Sequence, residues 1–220
     1  MRAFFDNGFA LVPSALLDDE LRELSVHVNA LGDVGPGTRC LLSNHWCRDL
    51  AKRLRGSNKL KAFIPSNHVA VQCTYFTKSA SCNWRVPVHH DLSAPVVQRR
   101  GLPGWGPWSV KEGVVFVQPP VSVLEQFVAV LVHLDPCAVD DGPLTVVPGT
   151  HALGLLSRAA AVVLRGREQT CIAQAGDALV LRPLLVHRSS KASGESRRRV
   201  LHFLFAPGNL DGAPEWHAAV

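Results

Sequence analysis

The sequence predicts a mainly β domain: a double-stranded β-helix (a jelly-roll, cupin-like barrel) with helices at its N-terminus. Three observations carry this. Apolar residues recur at helical spacing early in the chain and change to strict alternation from His68 onward. The alternating runs are short and are punctuated by Gly, Pro and Asp. Finally, 220 residues of which 47% are hydrophobic and 19% charged can fill one core, and such a chain is not disordered.

The elements follow in order. Phe4 to Pro13 reads as a short helix end running into a strand. From Leu16 to Leu31 the residues Leu17, Leu21, Leu24, Val28 and Leu31 mark an amphipathic helix, with acids near its start to suit the macrodipole. Leu50 to Leu60 is a second, basic helical candidate, and residues 1–65 together form a helical buttress. Strands are expected over His68–Phe76, Gly113–Gln118, Gln126–Leu134, Thr170–Ala173, Ala178–Arg182 and Val200–Phe205. Asp141-Gly142-Pro143 and Gly176-Asp177 supply tight turns between them. Residues 93–112 break the pattern: they are rich in Pro and Gly, carry Arg99-Arg100, and include Trp105 and Trp108. A loop this long inside a compact domain is usually functional, so it is expected to be a lid. The whole chain, 1–220, reads as one domain.

Composition narrows the function. The longest apolar runs, Val128 to Val132 and Ala178 to Leu181, are too short to cross a bilayer, and Asp6 interrupts any secretory apolar segment. A soluble, cytoplasmic protein is expected. The six cysteines form no C-x-x-C pair, which argues against a disulfide framework or a zinc knuckle. A net charge of +5 without aromatic interleaving is no signature of nucleic-acid binding, so the expected partner is a small molecule.

The residues that carry chemistry are His89, Asp91, His187 and Arg198. Positions i and i+2 of a strand share a face, so His89 and Asp91 can reach one metal while His90 points away. Alone, that triplet is as consistent with a surface loop, and a lone His187 in its apolar run with a core histidine. Together they offer two imidazoles and a carboxylate on one side of a metal, the arrangement that suits non-haem Fe(II). Of Arg197-Arg198-Arg199, alternation lets at most one or two face inward, and spacing favours Arg198, with Arg197 and Arg199 in solvent. A buried guanidinium fork matches a carboxylate, here that of a dicarboxylate cosubstrate. A metal-free jelly-roll binding protein, or a cupin that uses O₂ without a cosubstrate, remains the alternative. The intact ligand set argues against the first, and Arg198 with Ser189 against the second.

Five segments in order resemble the phytanoyl-CoA dioxygenase family of Fe(II)- and 2-oxoglutarate-dependent oxygenases, over nearly the whole chain. They are Asp6-Asn7-Gly8-Phe9-Ala10-Leu11-Val12-Pro13, His89-His90-Asp91, Asp141 to His151 (containing Gly142-Pro143-Leu144 and Pro148-Gly149-Thr150-His151), His187-Arg188-Ser189, and Arg198. The resemblance implies that His89, Asp91 and His187 hold iron, that Arg198 pairs with the distal carboxylate of 2-oxoglutarate, and that Ser189 donates to it. Gln72 falls where relatives place a glutamine on the cosubstrate; Thr145 and Lys78 are further candidates, and His151 is expected to be structural. His90 stands where the family usually has Gln or Glu, and Ser190-Lys191-Ala192-Ser193 replaces the usual asparagines. The implied reaction consumes O₂ and 2-oxoglutarate, releases succinate and CO₂, and hydroxylates an unactivated C–H of a small metabolite. The retained Asp91 favours hydroxylation over halogenation, while desaturation, cyclisation and epimerisation share the cofactor chemistry. Trp84, Arg85, Trp105, Trp108 and Glu125 are the expected substrate contacts.

Overall fold

The switch from helical spacing to alternation becomes a layer of helices laid on antiparallel sheet in the computed structural model, which describes residues 2–220. The first part comprises α1 (Arg2–Asn7), β1 (Phe9–Val12), α2 (Asp18–Asn29), β2 (Gly37–Thr38) and α3 (His45–Gly56). Next come β3 (His68–Thr77), β4 (Val86–His89), β5 (Ala94–Val96), β6 (Trp108–Lys111) and β7 (Val114–Val117). The remainder is α4 (Val121–Leu124), β8 (Val128–His133), β9 (Leu144–Val146), α5 (Arg158–Val163), β10 (Gln169–Cys171), β11 (Ala178–Leu181), β12 (His187–Ser189) and β13 (Arg199–Pro207).

The strands form a six-stranded sheet in the order β1-β11-β8-β13-β3-β2, a four-stranded sheet β10-β9-β12-β4 and a three-stranded sheet β5-β7-β6. Period-two alternation gives the large sheet two apolar faces. Leu201, Phe203 and Phe205 of β13, with Val128, Val130 and Val132 of β8, share a core with Leu24 and Val28 of α2 and Leu50 and Leu54 of α3. Their neighbours Val200, Leu204, Ala129, Leu131 and Leu179 turn the other way and meet Leu144 and Val146 of β9. The site lies in that second layer, between the two larger sheets. The expected barrel is thus a jelly-roll-like sandwich; no ring of hydrogen-bonded strands closes it among the described residues.

Two helices differ from their expected bounds. α2 starts only at Asp18, where the Glu20 carboxylate accepts from Leu17 N at 2.9 Å and caps the first turn. α3 begins at His45 and stops at Gly56, because Ser57 is extended; Leu60 is still fully buried, but from a turn. The segment expected to be a lid is also different. β5 and β6 lie within it and pair with β7, while Val97 N donates to Glu215 O and Trp105 packs 6.5 Å from Trp216. Apolar β-formers at both ends of a Pro- and Gly-rich stretch have made two strands of a small sheet, joined by the irregular residues 97–107.

Candidate active site

β4 and β12 lie side by side with His89 directly opposite His187, and the ring centroids are 4.2 Å apart. Asp91 sits just past the end of β4, where its N–H donates to Pro183 O at 2.9 Å; a register shift along the pair precedes it. That bond, not continued strand, returns the carboxylate to the face occupied by His89. Asp91 Oδ1 is 3.7 Å from His89 Nε2 and Oδ2 is 3.7 Å from His187 Nε2. One ligand atom from each residue lies within 4.8 Å of the others.

The histidine tautomers suit a metal. His89 Nδ1 donates to Pro87 O at 2.9 Å and His187 Nδ1 to Leu185 O at 2.8 Å. A carbonyl only accepts, so each Nδ1 carries the hydrogen and each Nε2 lone pair is free to bind a cation. Burial pushes His187 down to about 4, which keeps it neutral. Burial alone would raise the Asp91 carboxyl, but the surrounding imidazoles, His187 foremost, hold it well below the usual carboxylate range. Its Oδ2 is buried without a hydrogen-bond partner, so the carboxylate keeps unfilled acceptor capacity beside the two imidazoles. His90 has no such capacity: Nδ1 donates to Leu184 O at 2.7 Å and Nε2 accepts from Leu156 N at 3.2 Å.

Beyond the triad three donors crowd one acceptor. Lys78 Nζ, Ser189 Oγ and Arg198 Nη1 all donate to the Gly142 carbonyl, at 3.0, 3.1 and 3.0 Å. Lys78 also donates to Ser189 Oγ and Ser190 O. All three side chains are buried, and among the described residues no carboxylate is bonded to either cation. Burial and the adjacent Arg198 push Lys78 down to about 8, and Arg198 Nε has no partner at all. Two buried cations sharing one carbonyl make a receptor for an anion. Arg198 is the inward member of the arginine run, as alternation requires, and Arg197 is exposed. Arg199 departs from the solvated position expected of it: its guanidinium pairs with both oxygens of Asp135 at 2.8 Å.

A cavity of about 440 Å³ connects the two groups; its walls include Gln72, Trp84, His89, Asp91, His187, Ser189 and Arg198. Five expected contacts lie elsewhere. Thr145 pairs with Arg188 on the outward face of β9 and β12, where Arg188 holds Glu168, while its neighbour Leu144 faces the cavity. Arg85 is exposed, Trp105 packs on Trp216, and Trp108 lies under Arg99 at 5.8 Å. Glu125 is exposed and its carbonyl accepts from Arg182. From the expected lid only Ser93 and Lys111 line the cavity. Sequence reasoning missed Thr74, Phe76 and His202, all on the cavity wall. The signal for His202 was the same alternation that selected Arg198, continued through Val200.

This arrangement can be set against known proteins. The family model for phytanoyl-CoA dioxygenase matches residues 4–200. The chain belongs to the phytanoyl-CoA dioxygenase family. Among solved structures similar to this member is the non-haem α-ketoglutarate-dependent epimerase SnoN from nogalamycin biosynthesis, with 16% identity and a TM-score of 0.68, covering 94% of this chain and 81% of that one. HygX from Streptomyces hygroscopicus, solved with nickel and 2-oxoglutarate bound, is 18% identical with a TM-score of 0.67, over 97% and 86% of the chains. AviO1 from Streptomyces viridochromogenes Tue57 is 20% identical with a TM-score of 0.66, over 98% and 95%. At these identities the likeness is one of fold. No curated protein matches the sequence. Among the described residues no helix is long and apolar enough to cross a membrane.

Proposed function

We propose that this family member is an Fe(II)- and 2-oxoglutarate-dependent oxygenase that hydroxylates a C–H bond of a small molecule, with release of succinate and CO₂. The observation that carries the reading is the pairing of an imidazole–carboxylate–imidazole cluster with a buried, acid-free pair of cations across one cavity. His89, Asp91 and His187 would hold the iron, each histidine through the Nε2 that its carbonyl-bound Nδ1 leaves free. Bound iron, with the cosubstrate and O₂, supplies the oxidising power for C–H cleavage.

The chain's own residues bind, orient and exclude water. Arg198 takes the distal carboxylate of 2-oxoglutarate through its guanidinium fork, helped by Ser189 Oγ and Lys78 Nζ, which exchange their shared carbonyl for an anion. Gln72, whose Nε2 donates to Thr74 Oγ1 at 2.8 Å, lines the same cavity and would contact the cosubstrate there. Leu131, Leu144, Leu181 and Leu204 line the floor and keep it dry, which strengthens each charge–charge contact. Phe76 and Trp84 border the remaining space, where a small substrate would lie.

Purified protein should form succinate only when Fe(II), 2-oxoglutarate and O₂ are all present. Protein that binds neither the metal nor 2-oxoglutarate under anaerobic conditions would sink the assignment. The fold likeness to an epimerase favours one second reading, in which the same centre inverts or desaturates a carbon instead of hydroxylating it. Product mass separates them: hydroxylation adds one oxygen, epimerisation changes nothing, and desaturation or ring closure removes two hydrogens.

A further inference from the structure

β13 carries more than Arg198 toward the cavity. Its inward positions continue through Val200 to His202, and β13 is hydrogen-bonded on both edges there, with His202 opposite Thr74 of β3 and Leu131 of β8. The His202 backbone is therefore among the most firmly fixed in the site. Its ring stands 6.0 Å from that of Phe76, and its Nε2 lies 3.7 Å from Asp91 Oδ2. Both of those atoms are buried, and neither has a hydrogen-bond partner. A buried donor and a buried acceptor facing each other across a gap slightly too wide for a hydrogen bond are a pair waiting for a small movement of the carboxylate. The cluster of potential ligand atoms within 4.8 Å of one another contains His89, Asp91 and His187 and not His202. His202 thus stands beside the carboxylate and outside the ligand ring.

We propose that His202 is a positioning residue for the metal-binding carboxylate. Its Nε2–H donates to the Asp91 oxygen that does not hold the metal, and so fixes the rotation of the carboxylate. The proposal rests on the reading that His89, Asp91 and His187 hold a metal. A metal that draws one oxygen of Asp91 toward His89 and His187 leaves the other oxygen in need of a donor; among the described residues His202 Nε2 is the unpartnered nitrogen beside it, since the His187 Nε2 at the same distance carries no hydrogen and is itself a proposed ligand. Hydrogen bonds of this kind to ligating side chains are commonly worth 10–100-fold in metal affinity.

The test is titration of metal-free protein with Co(II), followed by its visible absorption, alongside the thermal unfolding of the metal-free form. His202→Leu should weaken Co(II) binding about 10–100-fold. It should leave the metal-free melting temperature unchanged or raised, since it removes a buried polar atom that has no partner there. His202→Gln, which restores an N–H donor at similar reach, should recover most of the affinity. A Leu variant that binds Co(II) as tightly as the unaltered protein would overturn the proposal. So would a Leu variant whose Co(II) spectrum reports the loss of a nitrogen ligand, because His202 would then be a ligand itself. A Gln variant no tighter than the Leu variant also counts against it. If the Leu variant does not fold, His202→Phe, which keeps a ring beside Phe76, makes the same comparison. Unaltered protein that takes up no Co(II) refutes the underlying metal site, a result distinct from all of these.

Discussion

Single side chains divide here by which atoms they leave free. Arg198 and Lys78 are buried beside each other with one carbonyl between them, so removing either cation should cost cosubstrate binding more than folding. Arg198→Ala should raise the 2-oxoglutarate concentration needed for half-maximal succinate formation by about 10–100-fold, the loss of one charge-assisted pairing. His90→Ala should do the opposite. Its two hydrogen bonds tie Leu184 to Leu156, so the variant should lose about 2 kcal/mol of stability in denaturant unfolding while keeping its metal affinity. Equal damage to metal binding from His90→Ala and His89→Ala would refute the assignment of ligands. At this scale the sequence was legible wherever alternation applied: His89 and Arg198 lie on the cavity wall, while Thr145 turns away from it. A likeness to relatives pointed to Thr145, but the strand phase that puts Leu144 inside must put Thr145 outside.

Between elements, the most informative contact joins two motifs far apart in the chain. Gly149 N donates to Asn7 O, His151 Nε2 donates to Phe5 O, and the imidazole lies where a Cβ on Gly8 would have to go. Gly8 also has φ +83°, so Gly8→Ala combines backbone strain with a collision. It should lower stability by about 1–3 kcal/mol, read as a fall in melting temperature, with cosubstrate affinity retained. Both segments were visible as motifs, but nothing in either revealed that they touch. Periodicity reports which face of an element is buried and is silent about its partner. The same limit explains residues 93–112: prolines and glycines announced irregular chain, whereas the pairing of their flanks with β7 is non-local.

For the whole molecule, acid should be the weak side of the metal-free fold. Burial, with Arg198 nearby, pushes His133 down to about 4, and burial does the same to His187. Unfolded, both titrate near 6.5, so between pH 6.5 and 4 the unfolded chain binds protons the folded one refuses. Stability from these groups is complete above pH 6.5 and is lost as the pH falls toward 4, by up to roughly 3 kcal/mol each. His89 acts in the opposite sense: burial lowers it, Asp91 more than reverses that, and its net rise favours the folded state at low pH. Burial also lowers His68, His90, His151 and His202, so against the one raised imidazole the metal-free melting temperature should be lower at pH 5 than at pH 7, and His133→Asn should flatten that dependence. A melting temperature that climbs on acidification would contradict the burial of both imidazoles. The mainly β class with its helical layer was readable from periodicity alone. That two sheets would face each other without closing depends on strand order, which no local pattern encodes.

The four-stranded sheet places β4 at its margin and β12 inside. Two of the three proposed ligands therefore belong to a short marginal ribbon that can fray, and the third to a segment that cannot. A bound ion would staple that ribbon down, and its escape would be timed by the ribbon's opening. Deuterium uptake should show it: residues 86–91 exchanging quickly without metal and slowly with it, and residues 187–189 protected in both states.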